Sequence, residues 1–187
     1  KELIGRSLKK ISHTTYSPKS FNNKYGVPIS LFNLKKNDEF GIFEIGMDKK
    51  GEIDYLSKII KPDVGVITNI SHAHIKNFKN INQIALAKSE IIKNINDDGY
   101  LVLNKDDKFY NFHKKIALKR NLKILSFSLK NKSATTYLNS ISKEKSKYKI
   151  SINTNKTKKL FYLNTLFEND LKNLLASITI IAIFKDI

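Results

Sequence analysis

The stretch FGIFEIGMDKKGEIDYLSKIIKPDVGVITNI, residues 40–70, decides the fold. Phe40 to Ile45 is a nearly continuous apolar run closed by Gly46, the pattern of a strand buried on both faces of a parallel sheet. From Gly51 the apolar residues Ile53, Leu56, Ile59 and Ile60 fall at helical spacing, and Pro62 follows the stop. Val64 to Ile70 is a second buried run. The segment reads as strand, helix, strand, joined by a right-handed crossover.

The alternation continues on both sides. Downstream, the spacing predicts a helix over 81–95, a strand over 100–103, a helix over 109–118 and a strand over 123–127. Upstream, Leu3, Ile4, Leu8 and Ile11 recur at helical spacing, and Ser17 to Pro28, rich in Ser, Asn, Pro and Gly, reads as an ordered loop. Beyond Leu129 the pattern changes. Tyr137 to Ile141, Tyr148 to Ile152 and Leu160 to Leu163 alternate apolar with polar residues between Lys/Asn/Ser-rich turns, and a last apolar helix covers 171–184. The prediction is an α/β domain with a doubly wound, mostly parallel sheet and a small antiparallel sheet near residues 135–165.

Composition narrows the chemistry. A chain of 187 residues, 41% hydrophobic, supports one well-packed domain. It has no cysteine, which excludes disulfides, thiolate metal sites and thiol redox chemistry and fits a reducing cytoplasm. The net charge of +17, from 34 Lys and Arg against 17 Asp and Glu, raises nucleic-acid binding as a first thought. The lysines are scattered through every segment without interleaved aromatic motifs, so a solvated surface is the preferred reading and no nucleic-acid partner is expected. No signal-like segment opens the chain, and the longest apolar stretch, Leu174 to Phe184, falls well short of the roughly 20 residues that span a membrane. A cytoplasmic location without membrane insertion is expected, with the full-length protein expected to be a monomer.

In open sheets of this type ligands sit beyond the carboxyl ends of the strands. Glu44 lies near the end of the first strand; Thr68 and Asn69, followed by His72 and His74, end the second; Asn104, Asp106 and Asp107 end the third. Carboxylate and imidazole at one edge can hold a hard divalent cation and its phosphates, or Glu44 can simply pair with a lysine. Lys88 falls inside the apolar stripe formed by Ile81, Ile84, Ala85, Ile91, Ile92 and Ile95. An ammonium pointed inward snorkels out, meets a buried acceptor, or loses its proton and adds carbon dioxide as a carbamate.

The runs Glu44-Ile-Gly-Met-Asp-Lys-Lys-Gly-Glu-Ile, Lys61-Pro-Asp-Val, Thr68-Asn-Ile-Ser-His-Ala-His and Ala87-Lys-Ser-Glu-Ile resemble the central, ATP-binding domain of the Mur ligases. They are most similar to the branch that adds D-alanyl-D-alanine to UDP-N-acetylmuramoyl-tripeptide in peptidoglycan synthesis. The loop Ser17-Pro-Lys-Ser-Phe-Asn-Asn-Lys-Tyr-Gly-Val-Pro and the strand ending Leu103-Asn-Lys-Asp-Asp fit the same branch. The resemblance implies a P-loop NTPase-type sheet and a reaction in which ATP phosphorylates the substrate carboxylate and the dipeptide amine attacks the acyl phosphate. It implies that Glu44 ligates one magnesium ion, that His74 and carbamylated Lys88 (N6-carboxylysine) hold a second and serve catalysis, and that His72 is not a ligand. Asn69, Asn104 and Asn173 would contact ATP, and Asn22 and Asn23 the muramoyl substrate. A folylpolyglutamate-type ligase or another muramoyl amino-acid ligase is the alternative, with a non-catalytic basic binding protein behind it.

Two departures from the family pattern stand out. A Gly-Lys-Thr phosphate loop would immediately precede Lys1 and is not found within residues 1–187, and Asn169-Asp170 stands where the family has a His-Asn pair. Residues 1–187 are therefore expected to be an incomplete central ATPase domain, lacking the phosphate loop and the N- and C-terminal domains of the parent ligase and inactive alone.

Overall fold

A computed structural model of the chain describes residues 1–71, 77–155 and 157–184. Strand–helix alternation runs through α1 (Glu2–Leu8), β1 (Thr14–Tyr16), α2 (Gly26–Phe32), β2 (Phe40–Ile42), α3 (Glu52–Ile60), β3 (Val64–Ile67) and α4 (Ile81–Lys88). A 3₁₀ turn (Ser89–Asn94) extends α4, and β4 (Tyr100–Asn104), α5 (Tyr110–Leu118) and β5 (Lys123–Ser128) come next. The chain ends with β6 (Thr136–Glu144), β7 (Lys147–Thr154), β8 (Thr157–Leu163) and α6 (Glu168–Phe184).

Alternate residues of β4 feed opposite faces of the main sheet. Val102 packs with Phe127, Ile150, Ile152, Leu175 and Ile178, so α6 covers one side. Leu101 and Leu103 pack with Ile67, Ile92, Ile95 and Ala117, so α5 and the 3₁₀ turn cover the other. Gly65 in β3 permits that close approach, because a Cβ there would lie 2.5 Å from the Ile95 side chain. Polar residues inside α6 are satisfied locally: Ser177 donates to the Asn173 carbonyl at 2.7 Å and Thr179 to the Leu175 carbonyl at 2.8 Å.

The sheet order β3-β4-β5-β6-β7-β8 is parallel through β3, β4, β5 and β6 and antiparallel from β6 to β8. The antiparallel strands expected near 135–165 thus prolong the parallel sheet, joined to it by the short Phe127–Thr136 and Ser128–Tyr137 register. A bulge between Leu138 and Ser140 shifts the β6–β7 pairing, so that Leu138 faces Ile152 and Ile141 faces Ile150. The strand–helix–strand unit at 40–70 forms, but β2 pairs in parallel with β1 rather than with β3, and α3 carries the chain from one sheet to the other. The loop expected over 17–28 contains the start of α2, held by Ser30 Oγ donating to the Gly26 carbonyl at 2.7 Å.

Two buried aromatic groups make the packing measurable. Phe127 is 0% exposed. Replacing it with Ala is expected to lower stability in urea unfolding by about 3–5 kcal/mol, whereas Phe32→Ala, at a side chain 90% exposed, should stay within about 0.5 kcal/mol. His113 on α5 is also buried; its Nε2–H donates to the Ala85 carbonyl at 3.0 Å, and burial pushes its pKa below the usual 6.5. The folded state then holds fewer protons than the unfolded one, so this contribution is complete above pH 6.5 and is lost as pH falls from there through the lowered folded value. Urea midpoints at pH 7 and pH 5 should differ less in His113→Gln than in the native chain.

Candidate active site

The chemistry-bearing residues sit at the carboxyl ends of the parallel strands; β3, β4 and β5 are packed on both faces, whereas β2, expected to be buried on both faces, is a three-residue strand in a separate sheet and is only partly buried. Glu44 lies just after β2, Thr68 and Asn69 just after β3, Asn104 closes β4, and Lys88 ends α4.

Both oxygens of the exposed Glu44 carboxylate are engaged. Asn22 Nδ2 donates to Oε1 at 3.3 Å, and Lys1 Nζ lies 3.5 Å from Oε2. The Glu44 backbone N–H donates to Ser17 Oγ at 3.3 Å, and the Gly46 N–H donates to the Asn22 carbonyl at 2.7 Å. A Cβ at Gly46 would stand 3.0 Å from Asn22 Cγ, so glycine is what admits the asparagine. Lys1 Nζ also donates to the Lys19 carbonyl, and its side chain is only 9% exposed. The 17–25 loop is thereby wrapped around the carboxylate. Of the two adjacent asparagines, Asn22 turns toward Glu44, while Asn23 Oδ1 accepts from the N–H groups of Tyr25 and Gly26 at 3.1 and 2.9 Å and fixes the start of α2.

Lys88 is half-buried, and its amine donates to the Asn69 carbonyl at 2.8 Å. Burial pushes its pKa down, against a smaller upward pull from Asp107. Asp107 in turn accepts from the N–H groups of Ile70 at 2.7 Å and Phe109 at 2.8 Å, joining the end of β3 to the turn before α5. Of the three fates open to an inward lysine, the described contacts are those of an amine on a partly buried acceptor. A carbamate would keep one N–H for the same Asn69 carbonyl.

A cavity of about 280 Å³ opens at the strand ends, lined by Asn69, Asn104, Asp107, Lys130, Glu168 and Lys172 among others. Asn69 and Asn104 line it together, whereas Asn173 is exposed on α6. Asn104 Oδ1 additionally accepts from the Asp106 N–H at 3.0 Å. His72 and His74 lie outside the described residues. Among the described residues, no hydrogen bond or ion pair joins Glu44 to Lys88, and no cluster of three or more His, Cys, Asp and Glu forms a metal site. Lys1 is the site residue that sequence reasoning passed over. Its signal was present, since Lys1, Gly5 and Leu8 fall at i, i+4 and i+7 and the latter two are buried.

The Mur ligase middle domain family matches residues 1–181 of this chain. The UDP-N-acetylmuramoyl-tripeptide--D-alanyl-D-alanine ligase of Buchnera aphidicola subsp. Baizongia pistaciae is 33% identical over 96% of the chain, which spans 38% of that relative's length. The enzyme of the same name from Bacillus subtilis is 41% identical over 47% of the chain and 19% of its own length. A crystal structure of MurF from Acinetobacter baumannii superposes over the whole chain and 40% of its own with a TM-score of 0.91 at 28% identity. MurF ligase from Thermotoga maritima, crystallised in complex with ADP, shares the fold with a TM-score of 0.86 at 24% identity, over 98% of this chain and 42% of its own. With a family match running from the first residue to residue 181 and the same arrangement of strands and helices, this chain belongs to the Mur ligases as a middle domain of that family.

Proposed function

We propose that this chain is the ATP-binding middle domain of an ADP-forming amide ligase that joins D-alanyl-D-alanine to UDP-N-acetylmuramoyl-tripeptide. The observation that carries the reading is the carboxylate of Glu44, held through both oxygens beyond β2, together with the half-buried amine of Lys88 beyond β3. The Buchnera and Bacillus relatives, ligases of that substrate pair by name, support the assignment, and the ADP in the Thermotoga complex supports the nucleotide. No helix of the described residues is long and apolar enough to cross a membrane. A cytoplasmic monomer using soluble nucleotide-linked substrates is part of the same proposal.

The donor set fits magnesium. Glu44 offers a hard, partly exposed oxygen donor on a fixed loop. Lys88 fits as a carbamate, and burial favours the neutral amine from which a carbamate forms. His74 completes the proposed second site. When bound, magnesium and ATP supply the transferable phosphoryl group and neutralise its charge. The chain's own part is positioning: Asn22 and Ser17 fix Glu44, the Asn69 carbonyl fixes Lys88, and Asn69 and Asn104 line the cavity offered to the nucleotide. Asn173 and Asn23 remain proposed contacts to ATP and to the muramoyl substrate. The basic surface attracts both anionic substrates.

The direct check is an assay of the complete ligase with ATP, UDP-N-acetylmuramoyl-tripeptide and D-alanyl-D-alanine. One ADP should appear per amide formed; a preference for folate and glutamate instead would overturn the substrate assignment. Glu44→Gln is expected to lower kcat by about 10²–10³-fold, the scale of losing one transition-state charge contact. Mass spectrometry in bicarbonate should find Lys88 heavier by one carbon dioxide, increasingly so as pH rises and the amine deprotonates. An unmodified lysine across that range would remove it from the metal site.

A further inference from the structure

We propose that Lys1 is a built-in counter-ion of Glu44 that sets the site's preference for a divalent cation arriving with anionic phosphate over the free ion. The proposal rests on the reading of Glu44 as a magnesium ligand. It starts from an ammonium that does not behave as a surface lysine. On α1, the Arg6 side chain is 73% exposed and, among the described residues, pairs with Glu2, whereas the Lys1 side chain is 9% exposed. Its Nζ is seated on the backbone carbonyl of Lys19, lies 3.5 Å from Glu44 Oε2 and reaches Glu2 Oε1 at 3.9 Å.

The Lys19 carbonyl is the decisive contact. Because one of the ammonium's anchors is main chain, Lys1 has a seat that does not depend on Glu44. A divalent cation bound to Glu44 therefore meets a resident positive charge a few ångströms away. Repulsion between a double and a single charge at that distance, even discounted for the exposure of Glu44, weakens the free ion by about ten-fold. A polyphosphate reverses the sign, since its oxygens are attracted to the metal and to the ammonium together. Glu44 can then be satisfied by Lys1 or by metal with phosphate, and it discriminates against metal alone. A lysine that merely orients the carboxylate makes the opposite prediction: removing it would loosen Glu44 and weaken every metal form.

The test uses the complete ligase and manganese as a paramagnetic stand-in for magnesium, with free ion counted by electron paramagnetic resonance. Native protein, Lys1→Met, Lys1→Arg and Glu44→Gln are titrated without nucleotide and with a non-hydrolysable ATP analogue. In Lys1→Met the free ion should bind about ten-fold tighter and the manganese–nucleotide complex several-fold weaker, while Lys1→Arg, which keeps the charge, should match the native protein. Free-ion affinity in Lys1→Met that is unchanged or reduced overturns the proposal, as does a tightened Lys1→Arg. If Lys1→Met does not fold, the Lys1→Arg titration carries the decision, because a retained charge must preserve the native ratio of the two affinities. Manganese binding that survives undiminished in Glu44→Gln would instead refute Glu44 as a ligand, a failure of the underlying reading that is separable from the sign of the Lys1 effect.

Discussion

The two-sided burial of β4 is the constraint on which the rest depends. Leu101, Val102 and Leu103 are essentially without solvent exposure, with alternate side chains committed to cores on opposite faces. A strand so enclosed has no place for a charged group along its body, because a lone buried charge is prohibitively desolvated. Polar chemistry is displaced to the strand's end, where Asn104, Asp106 and Asp107 turn the chain into α5. The same exclusion leaves Asn69 just beyond β3, while Glu44 follows the partly buried β2.

At that edge two ammonium groups obey one rule. Lys1 and Lys88 both leave the apolar stripe of a helix, and each is received by a backbone carbonyl, of Lys19 and of Asn69. A carbonyl is a neutral acceptor fixed by the fold, so it orients the amine without extinguishing its charge or its reactivity. Carboxylates divide the remaining labour. Asp107 and Asp106 are used on backbone N–H groups and hold turns; Asp54, kept down to about 2 by Asn94 and then Lys93, ties α3 to the 3₁₀ turn. Glu44, like Asp54 and unlike Asp107, is held by side chains, those of Asn22 and Lys1, which can be exchanged for other partners.

Much of this was legible in the sequence. Strands β3, β4 and β5, helices α3 and α5 and the antiparallel arm emerged from the change between periods of two and 3.6. β1 was too short to register as a run, and α2 contains Gly26 and Pro28 within seven residues, a composition that reads as loop until Asn23 and Ser30 are seen to brace it. The pairing of β2 with β1 was not readable either, since nothing local in Phe40–Ile42 names its neighbour. Lys88 was visible as a cation on an apolar stripe. The Asn22–Glu44 and Lys1–Glu44 contacts span 22 and 43 positions, and no local pattern encodes a contact of that range.

The bulge in β6 works as a phase corrector. Side chains alternate along a strand with period two, so Leu138 and Ile141, an odd number of residues apart, would point to opposite faces of a regular strand. One extra residue between Leu138 and Ser140 sets both opposite the inward pair Ile152 and Ile150. A one-residue deletion between the bulge and the hairpin tip would invert every side chain beyond it, while removal of a residue pair would leave the pattern intact. Length variation in this arm is thus quantised: related sequences can change it by two residues, or by one only if the irregularity itself disappears or moves.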